Sequence, residues 1–445
     1  MQVGQQKSQY RNLNAGVPQG SVLGPLLAIM YLNSLGNLTD NEMLFFADDS
    51  SVIARHNVEN FYEIEASLQK DLDTIYEYGS RWIITFNASK TSQQTFTKKR
   101  APEIPHLQFG TEAIPLNDHH KHLGLTFSTD LRFKSHINDI LLKFNRALSP
   151  LYPIASEVPR NVLLTIYKVY VQPHLDYCAS VYDGHITVFD RSRLEKAQNR
   201  AARLITGTPR RTSTAGLLEE LGWSTLASRR QSKKLLLYQK LRFNNSVPAY
   251  INNITPNTRM QDTVRELRST RNETVTEPPA HTHGYRRSFI PSTAKLWNKM
   301  SSDLRQTAAN SVRFKKHLMR AMAPKPANPY FSIGSRRGNI LHTRLRLNSS
   351  NLQAHLYAQG KADSPSCSCG YPREDTQHFF LTCPLYTLPR ITLFEKLSNI
   401  PSLDFSNLSR VQKIKCIIKG PDGNTPIRKT IAIATQCFLF DTQRT

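Results

Sequence analysis

The alternation of apolar and polar positions changes period several times along the chain, and those changes divide it. Residues 15 to 55 are apolar and punctuated by glycine and proline. From 56 to 80 the apolar positions Phe61, Ile64, Leu68, Leu72, Ile75 and Tyr76 recur at three- and four-residue steps, which predicts an amphipathic helix. Trp82 to Phe86 reads as a short strand, and 93–97 and 107–127 as strands and turns. Helices resume near Phe133. Leu163, Ile166, Tyr167, Tyr170 and Val171 form a helical stripe that Pro173 is expected to end. Leu194, Ala197, Ala201 and Leu204 share one face of a further helix, closed by Gly207 and Pro209. Between 244 and 330 the periodicity weakens and Asn, Thr, Pro and Arg dominate, which reads as a connector, part of it flexible. A Cys/His cluster at 367–383 follows, then apolar segments to which the pattern assigns no role.

Charge narrows the class of partner. The 445 residues carry 58 Lys and Arg against 34 Asp and Glu, a formal net charge of +24. The excess is spread over pairs such as Lys98-Lys99, Arg210-Arg211, Arg286-Arg287, Lys315-Lys316 and Arg336-Arg337. Such a chain attracts polyanions, because phosphate neutralisation releases condensed counterions. Six cysteines do not make a disulfide scaffold at this length, so a reducing compartment is expected. No apolar run is long enough to span a bilayer, and no membrane partner is expected.

Two blocks near the start carry chemistry. The first, Gly16-Val17-Pro18-Gln19-Gly20-Ser21-Val22-Leu23-Gly24, is a glycine-rich turn that lets backbone approach something bulky. Leu23, Leu26, Leu27, Met30 and Tyr31 after it are expected to begin a buried helix. The second, Phe45-Phe46-Ala47-Asp48-Asp49, sets adjacent aspartates between apolar flanks, the pattern of a β-hairpin with carboxylates at its tip. Adjacent acids there are costly unless a cation neutralises them, and oxygen ligands suit Mg²⁺.

Together, in this order, the blocks closely resemble the reverse-transcriptase domain of non-LTR, LINE-like retrotransposons of the Jockey type. Further matches follow: Asn87-Ala88-Ser89-Lys90-Thr91, His122-Leu123-Gly124-Leu125 and Leu131-Arg132-Phe133-Lys134-Ser135-His136-Ile137. His122 stands where the family more often has Tyr. The resemblance implies that Asp48 and Asp49 are catalytic Mg²⁺ ligands and that Lys90 assists the leaving group. Gly16, Pro18, Gln19, Gly20 and Ser21 would position nucleotide and template against that turn, and Leu123 and Gly124 would grip the primer. The family also needs an aspartate several tens of residues before the first block. Here the fifteen residues ahead of Gly16 contain no Asp or Glu. The two-metal site is therefore expected to be incomplete, and the chain to be a truncated, inactive RNA-directed DNA polymerase. The alternative is a non-catalytic remnant that still binds RNA or DNA.

The fold class expected is α+β: a partial palm with an antiparallel sheet over 1–130, a helical thumb over 131–210, a basic connector over 211–335, a zinc knuckle over 336–395 and a tail over 396–445. In the thumb, Lys196, Arg200 and Arg203 would track phosphates. Cys178 is expected to be a small buried residue. Cys367, Cys369, His378 and Cys383 have the C-x-C, eight residues, H, four residues, C spacing of a closed structural Zn²⁺ site. The family often carries such a motif after its polymerase. Arg336, Arg337, Arg344 and Arg346 lie near it in sequence and are expected to add to nucleic-acid binding. With little apolar material around it, the segment 340–390 is expected to need the metal to fold, with one of Phe379 and Phe380 packed on the knuckle and the other facing the connector. Expected partners are an RNA template, a DNA primer or target and dNTP, in an element ribonucleoprotein of nucleus and cytoplasm.

Overall fold

The computed structural model describes residues 20–55, 61–97, 103–244, 274–324, 333–421 and 425–443, with isolated positions in 2–9, 247–256 and 327–330. The chain forms two compact units, 1–131 and 132–445.

The first unit is built on one long helix. α1 (Gly24–Leu32) leads to a hairpin of β1 (Glu42–Phe46) and β2 (Asp49–Ile53), then to α2 (Phe61–Trp82). β3 (Gln108–Phe109) pairs with β4 (Glu112–Ala113), and β5 (His119–His122) with β6 (Leu125–Ser128). All pairs are antiparallel and two-stranded. Among the described residues they do not join into the single sheet expected. The periodic face of α2 buries Ile75 and Tyr78 with Leu35, Leu107, Phe109 and Ile114, and Leu68, Leu72, Met43 and Val52 pack on that core. Tyr76, expected on the same face, is 48% exposed and lies edge-on to Phe109. Asp71 is the polar pin of this unit. Its buried carboxylate accepts the Asp40 and Asn41 N–H groups at 2.7 and 3.0 Å and the Asn41 amide at 2.8 Å, so the entry to β1 is tied to α2.

Two expectations fail here for physical reasons. Trp82 to Phe86 is no strand: Trp82 ends α2, Ile83 takes a left-handed φ of 58°, and the Ile84 N–H returns to Gly79 O at 2.8 Å. A Cβ on Gly79 would lie 2.7 Å from Ile84 O, so glycine permits this crossing. α1 forms as expected but is not buried. Leu23, Leu26, Leu27, Met30 and Tyr31 are 62, 53, 50, 64 and 46% exposed. Its anchorage is polar and terminal, with Tyr31 Oη donating to Trp82 O and Tyr78 Oη to Tyr31 O.

The second unit is helical: α3 (Lys134–Leu148), α4 (Arg160–Ile166), α5 (Gln172–Asp176), α6 (Ala179–Tyr182), α7 (Val188–Thr206), α8 (Thr214–Leu221) and α9 (Leu226–Phe243). Leu163, Tyr167, Val171 and Leu175 are fully buried, while Tyr170 is 68% exposed. Pro173 does not end the stripe. A π turn over Tyr167–Val171 carries the helical path into α5, where Pro173 sits in the first turn and needs no N–H partner. Leu194, Ala197, Ala201 and Leu204 are buried as expected, and Gly207 closes α7 at φ 67°. Cys178 is half-buried, with a left-handed φ of 47°.

The stretch expected to be a connector contains packed helices: α10 (His283–Arg287), α11 (Phe289–Lys299), α12 (Ser302–Gln306) and α13 (Ser311–Ala321). Trp297, Ala294, Phe314 and Leu318 close a core there with Leu235 and Tyr238 of α9. The final elements are α14 (Arg336–Arg346), α15 (Gln353–Ala358), α16 (Thr387–Ser398), α17 (Arg410–Lys419) and α18 (Thr425–Asp441). The presumed tail is thus core-forming: Leu393, Leu397, Phe405, Ile417, Ile431 and Phe438 pack with Leu341, Leu345, Phe379 and Phe380.

α14 joins this core to the preceding helices. Arg336 donates to Ala155 O, Ile205 O and Leu204 O, and Arg344 to Gly207 O, which satisfies carbonyls at the open end of α7. Arg346 holds Glu220 of α8 with its Nε at 3.1 Å, and Arg160 of α4 reaches the same carboxylate at 3.6 Å and Thr343 Oγ1 at 2.8 Å. Burial lowers the Arg160 pKa to about 9, against the opposing pull of Glu220. Breaking such a buried group by removing the acid that both guanidiniums share costs about 3–5 kcal/mol. Glu220→Gln is therefore expected to destabilise the chain by that amount in urea unfolding. An R160M/E220L/R346M chain should lose much less, and a Glu220→Gln loss below about 1 kcal/mol would contradict this account. His342, fully buried on the same helix, is held well below its ordinary value of 6.5, by burial first and by Arg346 beside it. As pH falls, the unfolded chain takes up that proton first. The stability is complete above about 6.5 and is lost as pH falls from there toward the folded value. Denaturation midpoints measured from neutral to acid pH should drop, and His342→Leu should flatten the slope.

Candidate functional site

The carboxylate turn is where the sequence places it. β1 and β2 pair from Glu42 with Ile53 to Phe46 with Asp49, leaving Ala47 and Asp48 as a two-residue tip. Ala47 has φ 55°, a left-handed conformation unusual without glycine, which turns the chain tightly enough to present Asp48 and Asp49 side by side. Both aspartates are exposed. Two adjacent oxygen donors on a solvent-facing tip fit part of a Mg²⁺ site. Among the described residues no third Asp, Glu, His or Cys joins them in a metal-holding group.

The other residues of this unit sit on separate turns. Lys90 is exposed in a 3₁₀ turn (Ala88–Lys90) whose N-cap, Asn87, accepts the Lys90 N–H. Leu123 and Gly124, at φ 46° and 82°, form the two-residue turn between β5 and β6. Gly20 is exposed at φ 84° with open space around it. The Ser21 hydroxyl accepts the Gly24 N–H at 3.0 Å, so it holds the entry to α1. Gly16, Pro18 and Gln19 lie outside the described residues.

On α7, Lys196 and Arg200 are exposed, with Arg200 donating to Asn145 Oδ1. Arg203 is half-buried and turned toward Thr212 O, so the basic stripe is narrower than expected. Arg336, Arg344 and Arg346 are likewise engaged inside the fold rather than offered to a polyanion.

The Cys/His centre converges. The ligand atoms of Cys367, Cys369, His378 and Cys383 all lie within 4.8 Å of one another. Cys367 Sγ and Cys383 Sγ are 3.7 Å apart, and Cys369 Sγ and His378 Nε2 are 3.2 Å apart. Ligands at roughly 2.3 Å from one tetrahedral ion would be separated by about 3.8 Å, so the donor set fits Zn²⁺. Supporting groups orient it. Thr382 Oγ1 pairs with His378 Nδ1 at 3.1 Å, which frees Nε2 as the ligand atom, and Tyr371 stacks on the imidazole at 4.3 Å. Arg390 of α16 donates to Phe380 O and Cys383 O. Burial pushes the Cys383 thiol up to about 12, so its thiolate form calls for a cation in the cluster.

The expectation that the cluster has little apolar material around it, with only one of the two rings packed on it, is not met. Phe379 and Phe380 are both buried, and both pack against Phe438 of α18 at 5.2 and 4.9 Å. Neither ring faces a connector. What sequence reading missed was the apolar face of α18, whose Ile431, Ala434 and Phe438 recur at helical steps.

Residues 1–127 match the family model described as Reverse transcriptase (RNA-dependent DNA polymerase). The matched stretch contains the Asp48-Asp49 turn, the Lys90 turn and the Leu123-Gly124 turn. The chain is 33% identical over 212 residues to the probable RNA-directed DNA polymerase from transposon X-element of Drosophila melanogaster, covering 45% of this chain and 22% of that protein. It is 28% identical over 214 residues to the RNA-directed DNA polymerase from mobile element jockey of Drosophila funebris, covering 46% and 23%. A longer, weaker likeness, 21% over 385 residues, runs through 83% of this chain and 85% of the Retrovirus-related Pol polyprotein from type-1 retrotransposable element R1 2 of Nasonia vitripennis. The matched stretches liken the chain to reverse transcriptases of Jockey-type non-LTR retrotransposons, and they span less than a quarter of the X-element and jockey proteins.

The metal test is direct. The full chain is expected to bind one equivalent of Zn²⁺ under reducing conditions. Cys383→Ser should abolish tight binding, Thr382→Val should weaken it about tenfold, and Cys416→Ser should leave it unchanged. Because Phe379 and Phe380 are held by α18, chelation should leave most helical circular dichroism in place. Global unfolding on chelation would restore the metal-dependent reading.

Proposed function

We propose that the chain works as part of an RNA-directed DNA polymerase of a non-LTR retrotransposon, binding RNA template, DNA primer and dNTP. The observation that carries this is the exposed Asp48-Asp49 hairpin tip inside the stretch matched to reverse transcriptases. Mg²⁺ bound there would activate the primer 3′ hydroxyl and stabilise the leaving pyrophosphate. Asp48 serves as the principal oxygen donor and Asp49 as the secondary one. Lys90 offers a cation to the triphosphate. Gly20 and Ser21, with Gly16, Pro18 and Gln19, position nucleotide and template. The tight Leu123-Gly124 turn lies against the primer end. α3 to α7 act as the thumb, with Lys196 and Arg200 of α7 following the phosphate backbone and Arg203 contributing less. The Cys/His centre acts as a zinc knuckle beside the nucleic acid, and the protein resides in nucleus and cytoplasm as an element ribonucleoprotein.

Two carboxylates on one turn hold neither ion of a two-metal pair fully. Primer extension on an RNA template by the 445-residue polypeptide should therefore stay at background with Mg²⁺ or Mn²⁺. Joined to a fingers segment that supplies a further aspartate, it should extend the primer. Asp48→Asn should then reduce the rate at least about a hundredfold, since metal and primer lose their alignment. Extension that survives Asp48→Asn would rule out this hairpin as the catalytic centre.

A further inference from the structure

α13 offers a charged surface that the polymerase reading does not use. Its Phe314 and Leu318 are 0 and 1% exposed and point into the Trp297 core. At 3.6 residues per turn, that orientation sends Arg313, Lys316 and Arg320 to the opposite side in one stripe, with Lys315 on a flank. All four are exposed. α13 contains no acid, and among the described residues none of the four makes an ion pair.

Elsewhere in the same unit, cations have partners. Arg160 and Arg346 share Glu220, Arg229 and Lys233 share Asp176, and Arg230 and Lys234 share Asp183. The contrast is local and steep: from His283 to Met322 there are nine Lys or Arg residues and one acid, Asp303. Val312 and Met319, 76 and 51% exposed, border the stripe and offer apolar surface to sugars.

We propose that the outer face of α13 docks the phosphate backbone of a nucleic acid, as a site separate from the carboxylate turn and from α7. Three cations at steps of three and four residues along a rigid helix track a phosphate run and read no base. A basic amphipathic helix could instead lie on an anionic membrane, but that mode needs its apolar face free. In α13 that face is filled by the Trp297 core, which favours nucleic acid.

The test uses the full chain and two probes of equal length, a DNA duplex and an RNA stem, with binding measured across salt concentration. In R313Q/K316Q/R320Q the log–log salt slope should become shallower by about 2–3, and Kd should weaken at least about tenfold at moderate salt, on one probe or both. Loss on DNA alone marks a target-strand site, and loss on RNA alone a template site. The control K361Q/K396Q/K429Q removes the same charge from exposed positions outside α13 and should keep the parental slope. Thermal unfolding should be unchanged in both, since no substituted side chain is buried. Equal slopes for the two triple variants on both probes would overturn the proposal. So would tighter binding to phosphatidylserine vesicles than to either nucleic acid, lost in the α13 variant. The readout needs no primer extension, so its failure leaves the polymerase reading standing.

Discussion

A single buried carboxylate, Glu220, sets the arrangement of the second unit. Two guanidiniums from helices far apart in sequence, Arg160 and Arg346, converge on it, and Thr343 bridges them. The group carries one more positive charge than negative, in a place where burial works against charge. Its geometry therefore leaves little freedom: α4, α8 and α14 must meet at one point, or a charge is stranded. Once α14 is placed, Arg336 and Arg344 fall against the carbonyl end of α7, and the C-terminal core is carried with them.

This arrangement changes the meaning of the basic composition. A net charge of +24 looks like a broad polyanion-binding surface. Much of it is structural, since Arg160, Arg230, Lys234, Arg336 and Arg346 serve acids or carbonyls within the fold. Arginine suits that task because its planar fork satisfies several acceptors at once. What remains for a partner is confined to faces such as the outer sides of α7 and α13.

Legibility followed how local each signal was. The Asp48-Asp49 tip could be read because apolar flanks bracket two adjacent acids, and α2 because its apolar stripe is long. The Cys/His centre could be read because its four ligands lie within seventeen residues. The strand expected at Trp82 to Phe86 failed because Gly79 lets the chain fold back over α2, a tertiary event that apolar content does not encode. The helices between His283 and Ala321 were hidden because their core depends on Tyr238, outside the segment. The exposure of α1 was hidden for the opposite reason: its residues are apolar on every side, so pattern alone names no face.

The π turn at Tyr167–Val171 has a bearing on how this chain tolerates change in length. Leu163, Tyr167, Val171 and Leu175 are spaced by four, and in a regular α-helix each such step drifts about 40° around the axis. The wider turn takes back part of that drift, which keeps the four side chains on one buried line. A one-residue deletion between 167 and 171 would convert the turn to ordinary helix and could be absorbed there. The same deletion in the middle of α7 has no slack to draw on and would swing Ala201 and Leu204 about 100° out of the core. Insertions and deletions in related elements should therefore collect at this turn and avoid α7.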